Sequence, residues 1–419
     1  MENAKNRIKA AFDSVDKTLV WIYLLALAVR LVWAVHFVGL DFFPMDDDGS
    51  DFFEYARNLA AGRGYIGGGG SQGFRPPGYP FFLAGIFYVF GESNAAVKIV
   101  QCLLSSLTPV LVYLIGLKLA ARRVAVAAGF YAAIYFGLLI EPARYMSEAT
   151  FTFLLTLTVF LFLRIREKRS AAIAAGIALA LLVLTRPVGI VTLPLFVVWL
   201  YLVFDRRTFI RVTLTGAAAC ALTMAPWWIR NYRVYHAFVP VCLQTGMVIG
   251  GNSPHVKQAT PGYTENMSEY EVDRLNVKQG LAARKQMSLA KTLKVGMLRL
   301  VTFFYPFLPA YDLTWFFMFP FLVIGMYAAL REGNRPAYIL FNFGIYLPIY
   351  FFVCATTRYR HSVAPLMILF ASLGFFYLYD KYGAGKKYQA ALAGWTAANL
   401  LVWLNAPAFR SIALKVKDL

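Results

Sequence analysis

Long apolar segments recur along nearly the whole chain and constrain its fold more than any other feature of the sequence. A helix needs roughly 20 apolar residues to cross the hydrocarbon core of a bilayer, and segments near that length follow one another from about residue 18 to about residue 404. With 59% hydrophobic and only 15% charged residues, the composition is typical of a membrane protein rather than a soluble domain. We therefore predict an all-α polytopic membrane protein with about 11 transmembrane helices, within a range of about 9 to 13. The predicted spans are residues 18–39, 95–117, 124–140, 148–164, 171–185, 188–204, 209–227, 312–330, 336–354, 362–379 and 388–404.

Basic residues predict how these spans are oriented. The net charge is +19, but many Lys and Arg residues fall in short connections on alternate sides, as the positive-inside rule requires. This placement argues against nucleic-acid binding and predicts a multi-pass protein of the bacterial cytoplasmic (inner) membrane with its N-terminus in the cytoplasm. The basic residues of that side are Lys5, Arg7, Lys9, Lys17, Lys118, Arg122, Arg123, Arg164, Arg166, Lys168, Arg169, Arg206, Arg207, Arg211, Arg331, Arg335, Lys381, Lys386 and Lys387.

Two long segments lie on the opposite, outer side. Residues 40–94, the first outer segment, contain an acidic run and the short apolar stretch RPPGYPFFLAGIFYVFG, which suits an interfacial helix. Residues 228–311, the second outer segment, contain KTLKVGMLRLVTFF, a basic amphipathic stretch suited to the membrane surface. We predict one transmembrane domain over residues 1–419 without a separate soluble domain, with catalysis on the first outer segment and the acceptor contacted by the second.

The acidic run DFFPMDDDGSDFFEYARNLAAGRG is the most unusual part of this outer side. From Asp48 onward it predicts a helix that a glycine, Gly62, closes. On that helix Asp51 and Tyr55 are four residues apart, and Asp48 lies one turn before Asp51, so the three share a face. Acidic residues at a helix start stabilise it through the helix dipole. That explanation covers one or two carboxylates, whereas four crowded aspartates repel one another and indicate a functional site.

The same run raises the question of a metal ion. Asp46, Asp47, Asp48 and Asp51 offer oxygen ligands of the kind that divalent cations prefer, but they do not follow the EF-hand pattern. The four cysteines also lack the spacing of metal ligands. We predict no cofactor and no metal site, with a divalent cation left as an unsupported alternative.

Arginines at the outer ends of several spans are the second unusual feature, because outer loops are normally poor in positive charge. Snorkelling towards lipid headgroups explains any single one of them. Several together, many beside proline or aromatic residues, indicate convergence on an anionic phosphate. They are Arg75, Arg144, Arg186, Arg230, Arg233, Arg358 and Arg360.

Four further ionisable residues lie in or next to the spans. Arg30 lies in the middle of the first span, where a charge is costly, and is expected to face protein rather than lipid. Glu141 and Glu148 flank the turn between two spans and either cap it or line the site. His361 is either an acid or base or, as a lone histidine, structural.

Several ordered motifs resemble one known group of enzymes. DFFEYARNLAAGRGY and FRPPGYPFFLAGIFYVFG resemble the first outer loop of bacterial C-type membrane glycosyltransferases (family 39), a superfamily that includes the protein O-mannosyltransferases and the lipid A aminoarabinose transferases. YMSEATFTFLLTLTVF, LTRPVGIVTLP, PWWIRNYRVYHAFVPV with the following GGNSP, and TRYRHSVAPLMILF are similar to later segments of the same group, in the same order. The resemblance extends from about Asp51 to Phe370.

This resemblance implies an active site on the outer loops and a polyprenyl-phosphate sugar as donor. It implies that Asp51, four residues before Tyr55, is the catalytic base and that no metal is needed. Many relatives have a second acidic residue directly after that aspartate, where this chain has Phe52, and Asp48 is the candidate to replace it. The candidate substrate-binding residues are Asp48, Tyr55, Arg75, Glu148, Arg186, Arg230, Arg358, Tyr359 and Arg360.

The sequence thus favours an inverting transfer of a sugar from a polyprenyl phosphate to a hydroxyl group at the outer (periplasmic) face. The acceptor is a glycolipid, a polysaccharide or a protein, and membrane lipids are the other partners. Two alternatives remain: a transporter or flippase for lipid-linked sugars, and a non-catalytic lipid-binding protein of the cell envelope. A transporter predicts charges deep in several spans, whereas Arg30 is the only clear mid-span arginine or lysine.

Overall fold

The computed structural model of the protein describes residues 16–42, 47–250, 262, 266–305, 312–352, 357–383 and 385–407. Lys5, Arg7, Lys9, Asp46 and most of the GGNSP motif lie outside these residues, as does the side chain of Asp47. The α-helices are α1 (Lys17–Val32), α2 (Asp47–Ala60), α3 (Gly78–Phe90), α4 (Asn94–Ser105), α5 (Leu107–Leu119), α6 (Arg122–Ile134), α7 (Phe136–Ile140), α8 (Glu148–Arg164), α9 (Ala171–Thr185), α10 (Leu193–Val203), α11 (Arg206–Tyr235), α12 (Thr245–Gly250), α13 (Glu269–Lys285), α14 (Leu289–Phe304), α15 (Leu313–Arg331), α16 (Asn342–Phe352), α17 (Thr357–Tyr382) and α18 (Lys386–Leu404).

Helices fill the described part of the chain, which confirms the all-α fold, and each predicted span coincides with a helix or a pair of helices. Five of these helical segments are long and apolar enough to cross a membrane alone, or six if a bent pair is counted as one span. Others, such as α9, are apolar but shorter. The predicted number of 11 spans is therefore not confirmed.

The bent pair is α6 followed by residues 136–143, with an angle of 50° between the two parts. A break of this kind frees backbone groups, and polar side chains from other helices satisfy them. The backbone N–H of Phe136 donates to Oγ1 of Thr314 at 3.1 Å, and the guanidinium of Arg30 donates to the carbonyl oxygen of Ala133 at 3.0 Å. Only 1% of Arg30 is exposed, so this mid-span arginine faces protein, as predicted.

Glycines let the main helices approach one another closely. A Cβ atom added to Gly325 of α15 would lie 1.8 Å from the carbonyl oxygen of Phe370 in α17, and one added to Gly374 would lie 2.0 Å from that of Phe321. Small residues at helix contacts are the usual means of close packing in membranes. This contact fixes α17, whose first turn contains Arg358 and Arg360.

The first outer segment packs through one face of α2. Phe52 lies edge-on to Tyr79 of α3 at 5.0 Å, and Phe53 lies edge-on to Phe87 at 5.3 Å. The helix ends at Ala60, and Gly62 adopts a positive φ of 72°, the conformation that favours glycine after a helix. The predicted helix is therefore confirmed, and its other face is left for the aspartates.

The second outer segment forms α12, α13 and α14. Helix α13 begins with a capping box in which Ser268 and Glu271 each bond to the other's backbone N–H. Helix α14 coincides with the basic stretch predicted to lie on the membrane surface. Its side chains Leu289 and Met297 are largely exposed, as expected for a helix that meets lipid.

Candidate active site

Two aspartates one turn apart on α2 converge on a single arginine. Arg75 donates from Nε and Nη2 to Oδ2 of Asp51, at 3.0 and 2.6 Å, and its Nη2 lies 2.8 Å from Oδ1 of Asp48. Only 8% of the Arg75 side chain is exposed, and its guanidinium lies over the rings of Phe52 and Phe74. The proposed base and its predicted companion are therefore held by one cation.

Local packing of the loop explains why Arg75 lies there. Tyr55, on the next turn of α2, donates its hydroxyl to Oγ of Ser71 at 2.8 Å, and Tyr65 donates its hydroxyl to the carbonyl oxygen of Arg75 at 2.7 Å. A Cβ at Gly67 would lie only 2.4 Å from the Tyr55 ring, so this close packing requires glycine. Tyr55 is fully buried and supports the loop through its hydrogen bond to Ser71, and its predicted contact with substrate stays a prediction.

The ion pairs continue from Asp48 to two helices that are distant in sequence. Nη2 of Arg358, in the first turn of α17, donates to Oδ2 of Asp48 at 2.9 Å, and its Nε lies 3.5 Å from Oε1 of Glu148. The same Glu148 oxygen lies 2.8 Å from Nη1 of Arg186. The guanidinium of Arg186 lies 5.1 Å from the centroid of the Tyr359 ring. Glu148 begins α8 and Arg186 follows α9, so four parts of the chain meet here.

We call this arrangement the outer network; it consists of Asp48, Asp51, Arg75, Glu148, Arg186 and Arg358. Burial of Asp48 opposes its ionisation, but the charges of Arg75 and Arg358 outweigh burial and hold the pKa of Asp48 below its ordinary value. Burial of Arg75 likewise opposes its charge, and the carboxylates of Asp48 and Asp51 raise its pKa. Asp48 and Arg75 therefore keep their charges at neutral pH.

Two of the predicted binding arginines, Arg360 and Arg230, lie outside the outer network. Arg360 is fully buried; its Nη2 donates to Oδ2 of Asp312 at 3.2 Å, and its guanidinium lies over the ring of Trp315. The structure thus gives Arg360 a buried, supporting position, and its predicted contact with substrate stays a prediction. Arg230 lies over the rings of Trp227 and Tyr65, beside the supports of the loop rather than among the ion pairs.

Sequence reasoning missed Asp312 and Glu269. Asp312 precedes α15, accepts from the backbone N–H of Trp315, and pairs with Arg360; its position before an apolar run was a readable capping signal. Glu269 bridges the two outer segments, and no pattern in the local sequence predicts that contact. A second buried pair joins Nδ1 of His361 to Oε1 of Glu141 at 2.8 Å, so the two residues contact each other rather than the outer network.

The outer network places a carboxylate, which can accept a proton, next to arginines, which can bind an anion. About 21% of the Asp51 side chain is exposed, and Arg186 and Arg358 are exposed by 19% and 28%. An arginine has five N–H donors, so each retains capacity for a phosphate besides its carboxylate partner. In the described part of the chain, no group of three or more His, Cys, Asp or Glu residues is placed to hold a metal ion.

Comparisons with known proteins show what the chain is similar to. Residues 74–229, less than half of the chain, match the family model described as dolichyl-phosphate-mannose-protein mannosyltransferase. These residues include Arg75, Glu148 and Arg186. No curated protein matches the chain.

Among solved structures, the chain resembles the Archaeoglobus fulgidus oligosaccharyltransferase in its apo form, with a TM-score of 0.59 and 16% identity. It also resembles AglB, the oligosaccharyltransferase of that organism, in complex with an inhibitory peptide and a dolichol-phosphate, with a TM-score of 0.57 and 16% identity. Each alignment covers 93% of this chain and 54% of the archaeal one, so the chain spans about half the length of these enzymes.

ArnT from Cupriavidus metallidurans, bound to undecaprenyl phosphate, aligns over 84% of this chain and 77% of its own length, with 14% identity and a TM-score of 0.44. At 16% identity the archaeal structures show a shared fold, and the family model adds a match in sequence. Together they confirm the resemblance predicted from the motifs, to the superfamily of C-type, protein O-mannosyltransferase-like membrane glycosyltransferases.

Proposed function

We propose that this protein is an inverting glycosyltransferase that moves a sugar from a polyprenyl-phosphate donor to a hydroxyl group of an acceptor. The observation that carries the proposal is the outer network. In this network Arg75 holds the carboxylate of Asp51 by two hydrogen bonds, and Arg186 and Arg358 both lie next to the carboxylate of Glu148. Base and phosphate-binding groups are the two parts that such a transfer needs.

In this reaction the acceptor oxygen attacks the anomeric carbon of the donor while the bond from that carbon to the phosphate oxygen breaks. Asp51 takes the proton of the acceptor hydroxyl, and the products are a glycoside with inverted configuration and a free polyprenyl phosphate. A phosphate leaves without a full acid catalyst, so one carboxylate suffices where glycosidases use two.

Arg186 and Arg358 are the proposed partners of the leaving phosphate. Both remain partly exposed, and Glu148 holds them so that their charges are in place before the donor arrives. Preorganised donors aimed at a developing negative charge are usually the largest contribution to catalysis. The dolichol-phosphate found with the archaeal oligosaccharyltransferase supports a lipid-linked donor for this chain.

The acceptor and the orientation belong to the same proposal. We place the site at the outer, periplasmic face of the cytoplasmic membrane, because short basic connections mark the opposite side. The acceptor is a glycolipid, a polysaccharide or a protein, and we place its contacts on the second outer segment. We further propose that the reaction needs no metal ion, which incubation with a chelator before the assay tests.

The decisive experiment incubates the purified protein in detergent with a panel of polyprenyl-phosphate sugars and measures the release of free lipid phosphate. Asp51→Asn is expected to abolish this release while donor binding and the midpoint of thermal unfolding stay nearly unchanged. The matched control is Asp41→Asn, an exposed aspartate of the same outer segment. Normal turnover by Asp51→Asn would remove Asp51 from the role of base.

The same variant separates the proposal from its two alternatives. A non-catalytic lipid-binding protein would bind polyprenyl phosphate and release none from any donor, with or without Asp51. A flippase would move a labelled lipid-linked sugar across reconstituted vesicles without cleaving it. Release of lipid phosphate that depends on Asp51 is expected only of the transferase.

A further inference from the structure

The two outer segments meet at the carboxylate of Glu269, the first residue of α13. Its Oε2 accepts two hydrogen bonds: one from the backbone N–H of Gln72 at 3.0 Å and one from the hydroxyl of Tyr235 at 2.8 Å. Gln72 belongs to the first outer segment, and Tyr235 ends α11. One oxygen atom therefore joins three parts of the chain, and none of these residues belongs to the outer network.

The neighbouring residue shows how closely the segments pack. A Cβ added to Gly73 would lie 2.3 Å from the hydroxyl oxygen of Tyr235, so only glycine fits beneath this side chain. The carbonyl oxygen of Gly73 accepts from the backbone N–H of Leu243 at 2.7 Å. Two hydrogen bonds, one to Glu269 and one from Leu243, thus fix the backbone of residues 72 and 73, and Tyr235 adds a close contact.

This fixed backbone leads directly to the proposed base. Arg75 follows Gly73 by two residues, and its two hydrogen bonds to one oxygen of Asp51 set where that carboxylate lies. A shift of residues 72–73 therefore moves Arg75, and with it Asp51. Displacing a reacting group by about 1 Å costs up to about 100-fold in rate.

We propose that Glu269 and Tyr235 are positioning residues for the catalytic carboxylate, and that through them the second outer segment controls the geometry of the first. This inference rests on the proposed function. It adds that the segment on which we place the acceptor is mechanically joined to the loop of the base. An acceptor seated on the second outer segment therefore acts on Asp51 through Glu269.

Kinetics of lipid-phosphate release test the catalytic part of the proposal. Glu269→Ala and Tyr235→Phe are expected to lower kcat about 10-fold while the KM for the donor changes less than about 2-fold, because Arg186 and Arg358 are untouched. Glu269→Gln retains an acceptor oxygen and is expected to recover much of kcat. Tyr232→Phe, an exposed tyrosine of the same helix, is the matched control. An unchanged kcat in both Glu269→Ala and Tyr235→Phe would overturn the positioning role.

Hydrogen–deuterium exchange tests the contact without any substrate. The amide of Gln72 is expected to be protected in the wild-type protein and in Tyr232→Phe, and to exchange at least about 10-fold faster in Glu269→Ala, since it loses its acceptor. Equal protection in Glu269→Ala overturns the inference even if the wild-type protein cleaves no donor. A wild-type protein that releases no lipid phosphate, with Gln72 exchange behaving as expected, instead overturns the proposed function and its catalytic consequence.

Discussion

Two arginines of one motif, TRYRHS, are two residues apart on the first turn of α17 and have opposite surroundings. The side chain of Arg358 is 28% exposed and shares Asp48 and Glu148 with other arginines. The side chain of Arg360 has no exposed surface and pairs with Asp312, which is itself 2% exposed. Residues two apart on a helix point to different sides, so one of these arginines forms partly exposed ion pairs and the other a fully buried one.

This difference predicts that stability and activity separate between the two arginines. A partly exposed ion pair contributes little to folding, typically about 0 to 1 kcal/mol. Removing one partner of a buried pair costs about 3 to 5 kcal/mol, because the other charge is left without compensation. In the proposed function the partly exposed arginine binds the leaving phosphate, whereas the buried one is expected to hold the helix in place.

The largest expected effect belongs to Arg360→Ala. It leaves Asp312 buried without its cation and removes the donors to the carbonyl oxygens of Phe303 and Tyr305. We expect the free energy of unfolding to fall by about 3 to 5 kcal/mol, measured by thermal or denaturant unfolding in detergent. Arg233→Ala, an exposed arginine at the end of α11, is the control and should change stability by less than about 0.5 kcal/mol. Equal effects of the two variants would contradict the comparison.

Arg358→Gln is expected to show the opposite profile. The variant keeps a polar side chain at the outer network but loses the charge proposed to stabilise the leaving phosphate. We expect release of lipid phosphate to fall about 100-fold, with a loss of unfolding free energy below about 1 kcal/mol. A stability loss as large as that of Arg360→Ala, with turnover per folded molecule unchanged, would show that the two arginines share one structural role.

Much of the fold was predictable because it depends on local patterns. Apolar length located the helical segments, and the acidic run with Gly62 located α2. The superfamily resemblance was also readable, since its motifs are contiguous in sequence.

The partners within the site were not predictable in the same way. Arg358 and Arg360 look alike in sequence, and their difference arises from the close approach of α15 to α17, which brings Asp312 against one of them. Tyr55 shares a helix face with Asp51, yet packing against Tyr65 and Ser71 buries it. The bend after α6 likewise depends on Thr314, which is far away in sequence. Such contacts follow from helix packing, which periodicity does not determine.

Tyr55→Phe tests whether this tyrosine supports the loop or binds substrate. The variant keeps the ring stacked on Tyr65 at 4.3 Å and loses the hydrogen bond to Ser71. The net worth of such a bond is about 1 kcal/mol, so we expect the unfolding free energy to fall by about that amount. The KM for the donor should stay within about 2-fold of wild type in the lipid-phosphate assay. A KM raised severalfold without a loss of stability would instead show that Tyr55 binds substrate.

The smallest expected effect is the dependence of stability on pH that Asp48 contributes. Arg75 and Arg358 lower the pKa of Asp48 in the folded protein despite its burial. These ion pairs therefore contribute their full stabilisation at pH values above the pKa of Asp48 in the unfolded chain, about 3.9. That stabilisation is lost as the pH falls through the lower, folded pKa. The difference in unfolding midpoint between wild type and Asp48→Asn should therefore be constant from about pH 8 to pH 5 and shrink below about pH 4. Asp41→Asn, an exposed aspartate of the same outer segment, is the control and should differ little from wild type at every pH. If the difference in unfolding midpoint for Asp48→Asn is instead the same at pH 3 and pH 7, the two arginines do not lower the pKa of Asp48. The ion pairs of the outer network would then stabilise the fold less than their geometry indicates.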